Sequence, residues 1–271
     1  MACRCGVTVD RGPTAGGGGG RIRATGERND QVTGLQSIGV GAPTDEGAVR
    51  AALDPPTGAV PAVRLTGVTR LFDRQAALRN VHLHVAPGEV VMLRGPNGAG
   101  KSTLLRIIST AIAPTYGTGS VLGHDLRSGR AGIRAAVELL GHRARLYEDL
   151  SARENLRFLC SLYGIDEDGI GVALQRVRLS SAADERVRSY SQGMRQRVAI
   201  ARLLLRDPGL LLLDEPYGGL DEEGKGLVDE LIADARTRGR TVLVATHDRS
   251  RDPSPVREVW MEDGRIVAGG A

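Results

Sequence analysis

The chain has 271 residues, of which 41% are hydrophobic and 25% are charged, and its formal net charge is +4. This composition is typical of a globular protein, and apolar runs such as residues 210–213 are far shorter than the roughly 18 residues of a membrane-spanning helix. Because the basic residues are spread along the chain and only 3% of all residues are aromatic, we expect no nucleic-acid partner.

Residues 1–60 differ in composition and in hydrophobic pattern from the rest of the chain. They contain five consecutive glycines and a Pro-Pro pair, and they show no apolar period. Such a segment cannot bury enough surface to offset its ordering entropy, so we predict a disordered Gly-rich extension. It also lacks the apolar stretch of a signal peptide, which favours a location in the cytoplasm. Residues 61–271 are predicted to form the folded domain.

Strand patterns dominate the first part of this domain. The stretches VRLTGVTRLF and LRNVHLHVAPGEVV alternate apolar and polar residues, with a turn signal at Pro87-Gly88. The next residues, VVMLR, predict a buried strand, GPNGAG a loop, and KSTLLRIIST the beginning of an amphipathic helix.

Helices and strands alternate in the remainder. SARENLRFLCSLYG begins with Ser151 and Glu154 at the spacing of a capping box, which predicts a helix. SQGMRQRVAIARLLLR and DEEGKGLVDELIADARTRG also predict helices, whereas LLLLDEP predicts a strand ending in acids and TVLVATHD a further strand. The alternation indicates an α/β fold with a mostly parallel sheet covered on both faces.

The segment GPNGAGKS, residues 95–102, matches the phosphate-binding pattern G-x-x-x-x-G-K-[ST] between a predicted strand and a predicted helix. Its glycines let main-chain N–H groups and the helix N-terminus converge on an anion. Lys101 is one of only two lysines among 36 lysine and arginine residues, which indicates a slot too narrow for a guanidinium. We expect Lys101 to reach the β- and γ-phosphates of a nucleotide and the Ser102 hydroxyl to hold Mg²⁺. The predicted ATP-binding residues of this loop are Gly95, Pro96, Asn97, Gly98, Ala99, Gly100, Lys101, Ser102 and Thr103.

Two acids follow the apolar run of residues 210–213. An Asp-Glu pair can belong to a surface turn, but four leucines before it favour the end of a buried strand. There one of the two carboxylates, Asp214 or Glu215, would bind Mg²⁺ and the other would activate water, the two tasks of a hydrolytic nucleotide site.

Five motifs in order resemble those of the ABC transporter ATPase family. They are the phosphate loop with Lys101, the segment YSQGM around Ser191, the pair Asp214-Glu215, the pair Leu220-Asp221, and His247. The segment YSQGM is similar to the family's LSGGQ signature and leads into the RQRVAIAR helix. The resemblance implies a P-loop nucleotide-binding domain with an antiparallel β subdomain and a helical signature subdomain.

This resemblance also implies that two copies meet head to tail with ATP between the phosphate loop of one and the signature of the other. Ser191 and Gly193 would then contact the γ-phosphate across a homodimer, although Ser191 could equally cap the helix that follows. The same family resemblance makes Glu215 the catalytic base and has Asp214 bind Mg²⁺ through water, with Lys101 and His247 as further catalytic residues. His247 would bind the γ-phosphate and the attacking water.

Two further ATP-binding residues are implied by the resemblance. Phe72 would stack on adenine, with an ordinary core position as the alternative. His142 stands where the family usually has the glutamine of its Q-loop and would bond water or the γ-phosphate, so it could serve coupling to a partner.

Within the family, residues 139–164 look most like the ATP-binding subunit of the cytochrome c maturation system, the haem exporter. The resemblance therefore implies an ATPase that uses ATP and Mg²⁺, works with integral membrane subunits and sits peripherally on the cytoplasmic side of the cell membrane. The runner-up is the ATPase of another small exporter, for drugs or lipids. A third hypothesis is a soluble ABC protein that acts on ribosomes or DNA.

Overall fold

A computed structural model of the protein describes residues 60–141, 144–247 and 256–267. The predicted disordered extension, residues 1–60, lies outside these ranges except for its last residue, so it stays a prediction. Within the described ranges, no helix combines the length and the apolarity that a bilayer crossing requires.

The described residues form ten strands and six α-helices, and every helix and buried strand predicted from the sequence is among them. The strands are β1 (Val63–Phe72), β2 (Gln75–Val85), β3 (Val90–Arg94), β4 (Tyr116–Val121), β5 (His124–Asp125), β6 (Val137–Leu140), β7 (Leu210–Asp214), β8 (Thr241–Ala245), β9 (Arg257–Glu262) and β10 (Arg265–Val267). The helices are α1 (Lys101–Ile108), α2 (Arg130–Ala136), α3 (Ala152–Tyr163), α4 (Ile170–Arg176), α5 (Gln192–Arg206) and α6 (Glu222–Thr237).

These strands form two sheets. The smaller has the order β2-β1-β4-β5 and is antiparallel throughout. The larger has the order β10-β9-β3-β8-β7-β6 and is parallel except for the pair of β9 and β10. The predicted α/β class, with a mostly parallel sheet and an antiparallel β subdomain, is confirmed.

The central strands β3, β7 and β8 of the larger sheet are buried on both faces, as their continuous apolar sequences predict. In β7, Leu211 and Leu213 pack in one hydrophobic cluster, whereas Leu210 and Leu212 pack in the other. Side chains of a strand alternate between faces, so the two clusters mark its two sides. The first cluster includes residues of α3 to α6 and forms the predicted helical subdomain, and the second includes residues of α1 and of the antiparallel sheet.

Candidate active site

Three neighbouring strands of the larger sheet end at one edge, and a predicted site residue follows each of them. The strands β3, β8 and β7 are adjacent and parallel. The loop of residues 95–100 follows β3, His247 stands two residues after β8, and β7 ends at Asp214. Because parallel strands bring their carboxyl ends to the same edge, the fold brings the phosphate loop and the two acids together.

The main chain of the loop takes conformations that favour glycine. Gly95 has a φ of 134°, and a Cβ there would stand 2.0 Å from the carbonyl oxygen of Met261. Gly100 has a φ of 101°, and its Cβ would stand 2.7 Å from the carbonyl oxygen of Ala77. Among the described residues no side chain caps the first turn of α1, so its N–H groups can serve an anion.

Lys101 lies inside this loop and is only 6% exposed. Its Nζ donates hydrogen bonds to the carbonyl oxygens of Gly95 at 2.7 Å and of Pro96 at 3.0 Å. Two adjacent carbonyls thus hold a compact ammonium, which agrees with the narrow slot that the sequence predicts.

The two predicted metal-binding residues contact each other. The Ser102 hydroxyl donates to Oδ1 of Asp214 at 2.7 Å, and Asp214 is 8% exposed. Here a hydroxyl oxygen and a carboxylate oxygen lie side by side next to a phosphate loop. Mg²⁺ binds oxygen ligands of this kind together with phosphate oxygens and water. The residues present therefore fit this ion.

Glu215 and His247 form the second polar pair of the site. Nδ1 of His247 lies 3.0 Å from Oε2 of Glu215, and a carboxylate can only accept, so the imidazole donates. Glu215 has a φ of 49°, and its N–H donates to the carbonyl oxygen of Ala245 at 2.8 Å. The left-handed turn at the strand end directs the Glu215 carboxylate toward His247.

The predicted signature residues lie at the start of α5. Ser191 is the N-cap of this helix, because its Oγ accepts from the N–H of Met194 at 3.2 Å, so the capping alternative is confirmed. Ser191, Gly193 and Asp221 also line an open cavity of about 540 Å³. None of the residues 95–103 lines this cavity, although all of them are described. The cavity at the signature is therefore lined by residues other than those of the phosphate loop of the same chain.

Arg197 joins the signature helix to the start of α6, a contact that the sequence analysis missed. Its NH2 donates to Asp221 at 3.1 Å and to Glu223 at 2.8 Å. The Gly224 amide and then Arg197 hold the pKa of Asp221 below its usual range, and Arg197 does the same for the pKa of Glu223. One of four arginines in α5, Arg197 carries no signal in the sequence that marks it out.

Phe72 is 43% exposed at the end of β1, so the alternative of a core position is wrong. It pairs with Gln75 of β2, two residues before Ala77, whose carbonyl approaches Gly100 of the phosphate loop. Its exposure and its place in this hairpin suit a ring that stacks on a base. The other predicted ligand, His142, lies outside the described residues.

Comparisons with known proteins connect this site to one family. The profile of the family described as ABC transporter matches residues 78–218. A cytochrome c biogenesis ATP-binding export protein, CcmA 2 from Cupriavidus metallidurans, is 41% identical over 64% of this chain and 83% of its own length. The daunorubicin resistance ATP-binding protein DrrA3 from Streptomyces coeruleorubidus is 35% identical over 77% of this chain and 68% of its own length.

A solved structure shares the fold and includes nucleotide products. It is a dimer of the ATP-binding cassette MJ0796 in a post-hydrolysis state, bound to ADP and Pi. It matches this chain with a TM-score of 0.66 at 27% identity, over 75% of this chain and 96% of its own.

Proposed function

Because the chain belongs to the ABC transporter family, as an ATP-binding subunit and an ATPase, we propose that it drives an export complex for haem in cytochrome c biogenesis. The observation that carries the proposed chemistry is the convergence of two pairs at one sheet edge, Ser102 with Asp214 and Glu215 with His247. Haem as the cargo is supported by the relative CcmA 2, which is 41% identical and is named as a cytochrome c biogenesis export protein.

The reaction is an in-line attack of water on the γ-phosphorus. Glu215 orients the water and accepts its proton, the new oxygen–phosphorus bond forms, and the bond to the β–γ bridging oxygen breaks to release ADP and phosphate. His247 holds Glu215 through Nδ1 and bonds the γ-phosphate. Lys101 and the N–H groups of the loop offset the developing negative charge.

Ser102 and, through water, Asp214 would hold Mg²⁺, which when bound supplies positive charge beside the β- and γ-phosphates. The hydrogen bond between the two side chains keeps both oxygens at the phosphate loop. This pairing supports Mg²⁺ as the cofactor of the proposed reaction.

A second copy of the chain completes each site. Ser191 and Gly193 line a cavity that none of residues 95–103 of the same chain enters, so a γ-phosphate at this cavity belongs to another copy. That the similar cassette MJ0796 is a dimer when bound to ADP and Pi supports an assembly of two copies. We therefore assign the signature of one copy to the nucleotide of its partner.

An exposed apolar surface on α3 supports a partner in the membrane. Tyr147, Phe158, Leu162 and Tyr163 are each more than 40% exposed, and they line one groove together with Arg145. Water-exposed aromatic and leucine side chains that cluster in this way mark an interaction surface. We assign it to an apolar segment of an integral membrane subunit, which would hold the chain on the cytoplasmic side.

A complementation experiment tests both the cargo and the surface. In a strain that lacks the gene, c-type cytochromes detected by haem staining should be absent, and the wild-type gene should restore them. Glu215→Gln should not restore them because it removes the base. Leu162→Glu should also fail, because a charge in the groove opposes docking, while the purified variant still hydrolyses ATP.

Val172→Glu is the matched control, since Val172 is equally exposed on α4 but outside the groove. It should restore the cytochromes. Normal c-type cytochromes in the deletion strain would overturn the haem assignment. If the same strain became sensitive to a drug, the second candidate, the ATPase of another small exporter, would replace the haem exporter. The similarity to DrrA3 at 35% identity favours that second candidate.

A further inference from the structure

The side chain of Arg70 lies against the ring of Phe72. Both residues belong to β1, two positions apart, and Cζ of Arg70 stands 4.6 Å from the centre of the ring. A guanidinium over an aromatic face at this distance is a cation–π contact. In the described part of the chain Nε of Arg70 is buried and has no hydrogen-bond partner, so part of the cation is removed from water, and this strengthens the contact.

The position of Arg70 is fixed by the segment that precedes β4. Its NH1 donates to the carbonyl oxygen of Ala113 at 3.0 Å. The same segment is bound to β1 on either side of Arg70, because Leu71 N–H donates to Oγ1 of Thr115 and Thr115 N–H donates to the carbonyl of Thr69. The guanidinium is therefore anchored on one side of the ring.

The remaining ring surface stands near the phosphate loop. Phe72 is 43% exposed although Arg70 covers part of it. The second strand of the same hairpin, β2, contains Ala77 and Arg79. The carbonyl oxygen of Ala77 approaches Gly100. The N–H of Arg79 donates to the carbonyl oxygen of Gly264. Gly264 in turn donates to Ala99 of the loop at 3.1 Å, so the hairpin and the loop are one connected unit.

We propose that Arg70 is a positioning residue for the purine base: it backs one face of Phe72 so that the other face stacks on adenine. This inference rests on the proposed function, because it needs ATP at the phosphate loop. The cation restricts the rotation of the ring before the nucleotide arrives. It also draws π density toward itself, which lowers the repulsion between the outer face and the π density of a stacked purine.

The test compares Arg70→Met, which keeps an unbranched apolar stem and removes the guanidinium with its charge, with Phe72→Ala and the double variant. Two probes with Mg²⁺ are used, ATP and inorganic tripolyphosphate, which has no base. Arg70→Met should weaken ATP binding about three- to tenfold and leave tripolyphosphate binding unchanged. The double variant should bind ATP no more weakly than Phe72→Ala, because Arg70 acts through the ring.

Arg64→Met is the control, because Arg64 is an exposed arginine of the same strand and its loss changes the net charge equally. It should bind both probes as the wild type does. Unchanged or tighter ATP binding by Arg70→Met would overturn the inference, as would equal losses for both probes or additive losses in the double variant. A wild-type protein that binds neither probe would instead overturn the proposed function together with it.

Discussion

Among single residues, Glu215 has an uncommon backbone for its place in the chain. Its φ of 49° is unfavourable for a residue with a side chain, and strain of this kind persists where neighbours hold it. Here the neighbours are Ala245, which accepts from its N–H, and His247, which donates to its carboxylate. The strain places the proposed base at the strand end rather than along the strand.

Lys101 allows a prediction at this scale. Lys101→Ala should weaken nucleotide binding by roughly ten- to a hundredfold, because it removes charge-assisted hydrogen bonds to the phosphates. Equilibrium titration with a fluorescent ATP analogue measures the change. Lys225→Ala, which removes the other lysine and its ion pair with Glu222, should bind like the wild type. Equal affinity of Lys101→Ala and the wild type would contradict the assigned loop.

Among the elements, α3 depends most visibly on a local sequence signal. Oγ of Ser151 accepts from the Glu154 N–H at 3.1 Å, and Glu154 Oε2 accepts from the Ser151 N–H at 2.8 Å. Both halves of the predicted capping box are present. They satisfy two N–H groups that the helix itself cannot bond, and α3 carries the groove assigned to the membrane partner.

Ser151→Ala should therefore lower the free energy of unfolding by about 1 kcal/mol. Urea unfolding followed by circular dichroism measures it. Ser161→Ala is the control on the same helix, since Ser161 is exposed in its interior, where alanine is the better helix former. A loss of the same size in both variants would show that the cap is not the cause.

Other elements show what a sequence pattern can miss. The hairpin of β9 and β10 turns at Asp263-Gly264 with φ values of 46° and 75°. WMEDGRIV carries the hairpin signal of a two-residue Asp-Gly turn between apolar runs, although the predicted elements do not include this hairpin. By contrast, the two-residue strand β5 is fixed only by its pairing with β4, so no local pattern marks it.

For the assembled molecule, the proposal that two copies complete each nucleotide site allows a prediction. Glu215→Gln should keep ATP affinity and lose turnover. ATP binding still closes the dimer, but without the carboxylate base the bound ATP is not hydrolysed to ADP, so the dimer stays closed. Light scattering after gel filtration with ATP should show a stable dimer for Glu215→Gln and a transient one for the wild type.

Glu230→Gln supplies the matched control, since Glu230 is an exposed residue of α6. It should hydrolyse ATP at the wild-type rate. Turnover at that rate by Glu215→Gln would contradict the assignment of Glu215 as the base. If Glu215→Gln stayed monomeric in the presence of ATP, the proposed two-copy site would be contradicted.

The phosphate loop, the buried strands, the caps of α3 and α5 and the α/β class could be predicted from the sequence alone. Each of these depends on neighbours within a few residues along the chain, through hydrogen bonds, backbone freedom or side-chain period. Only the tertiary structure decided which distant side chains meet. Ser102 and Asp214 are 112 residues apart, and Arg70 reaches Ala113 across 43. Such pairs follow from the order of strands in a sheet, which no local period encodes.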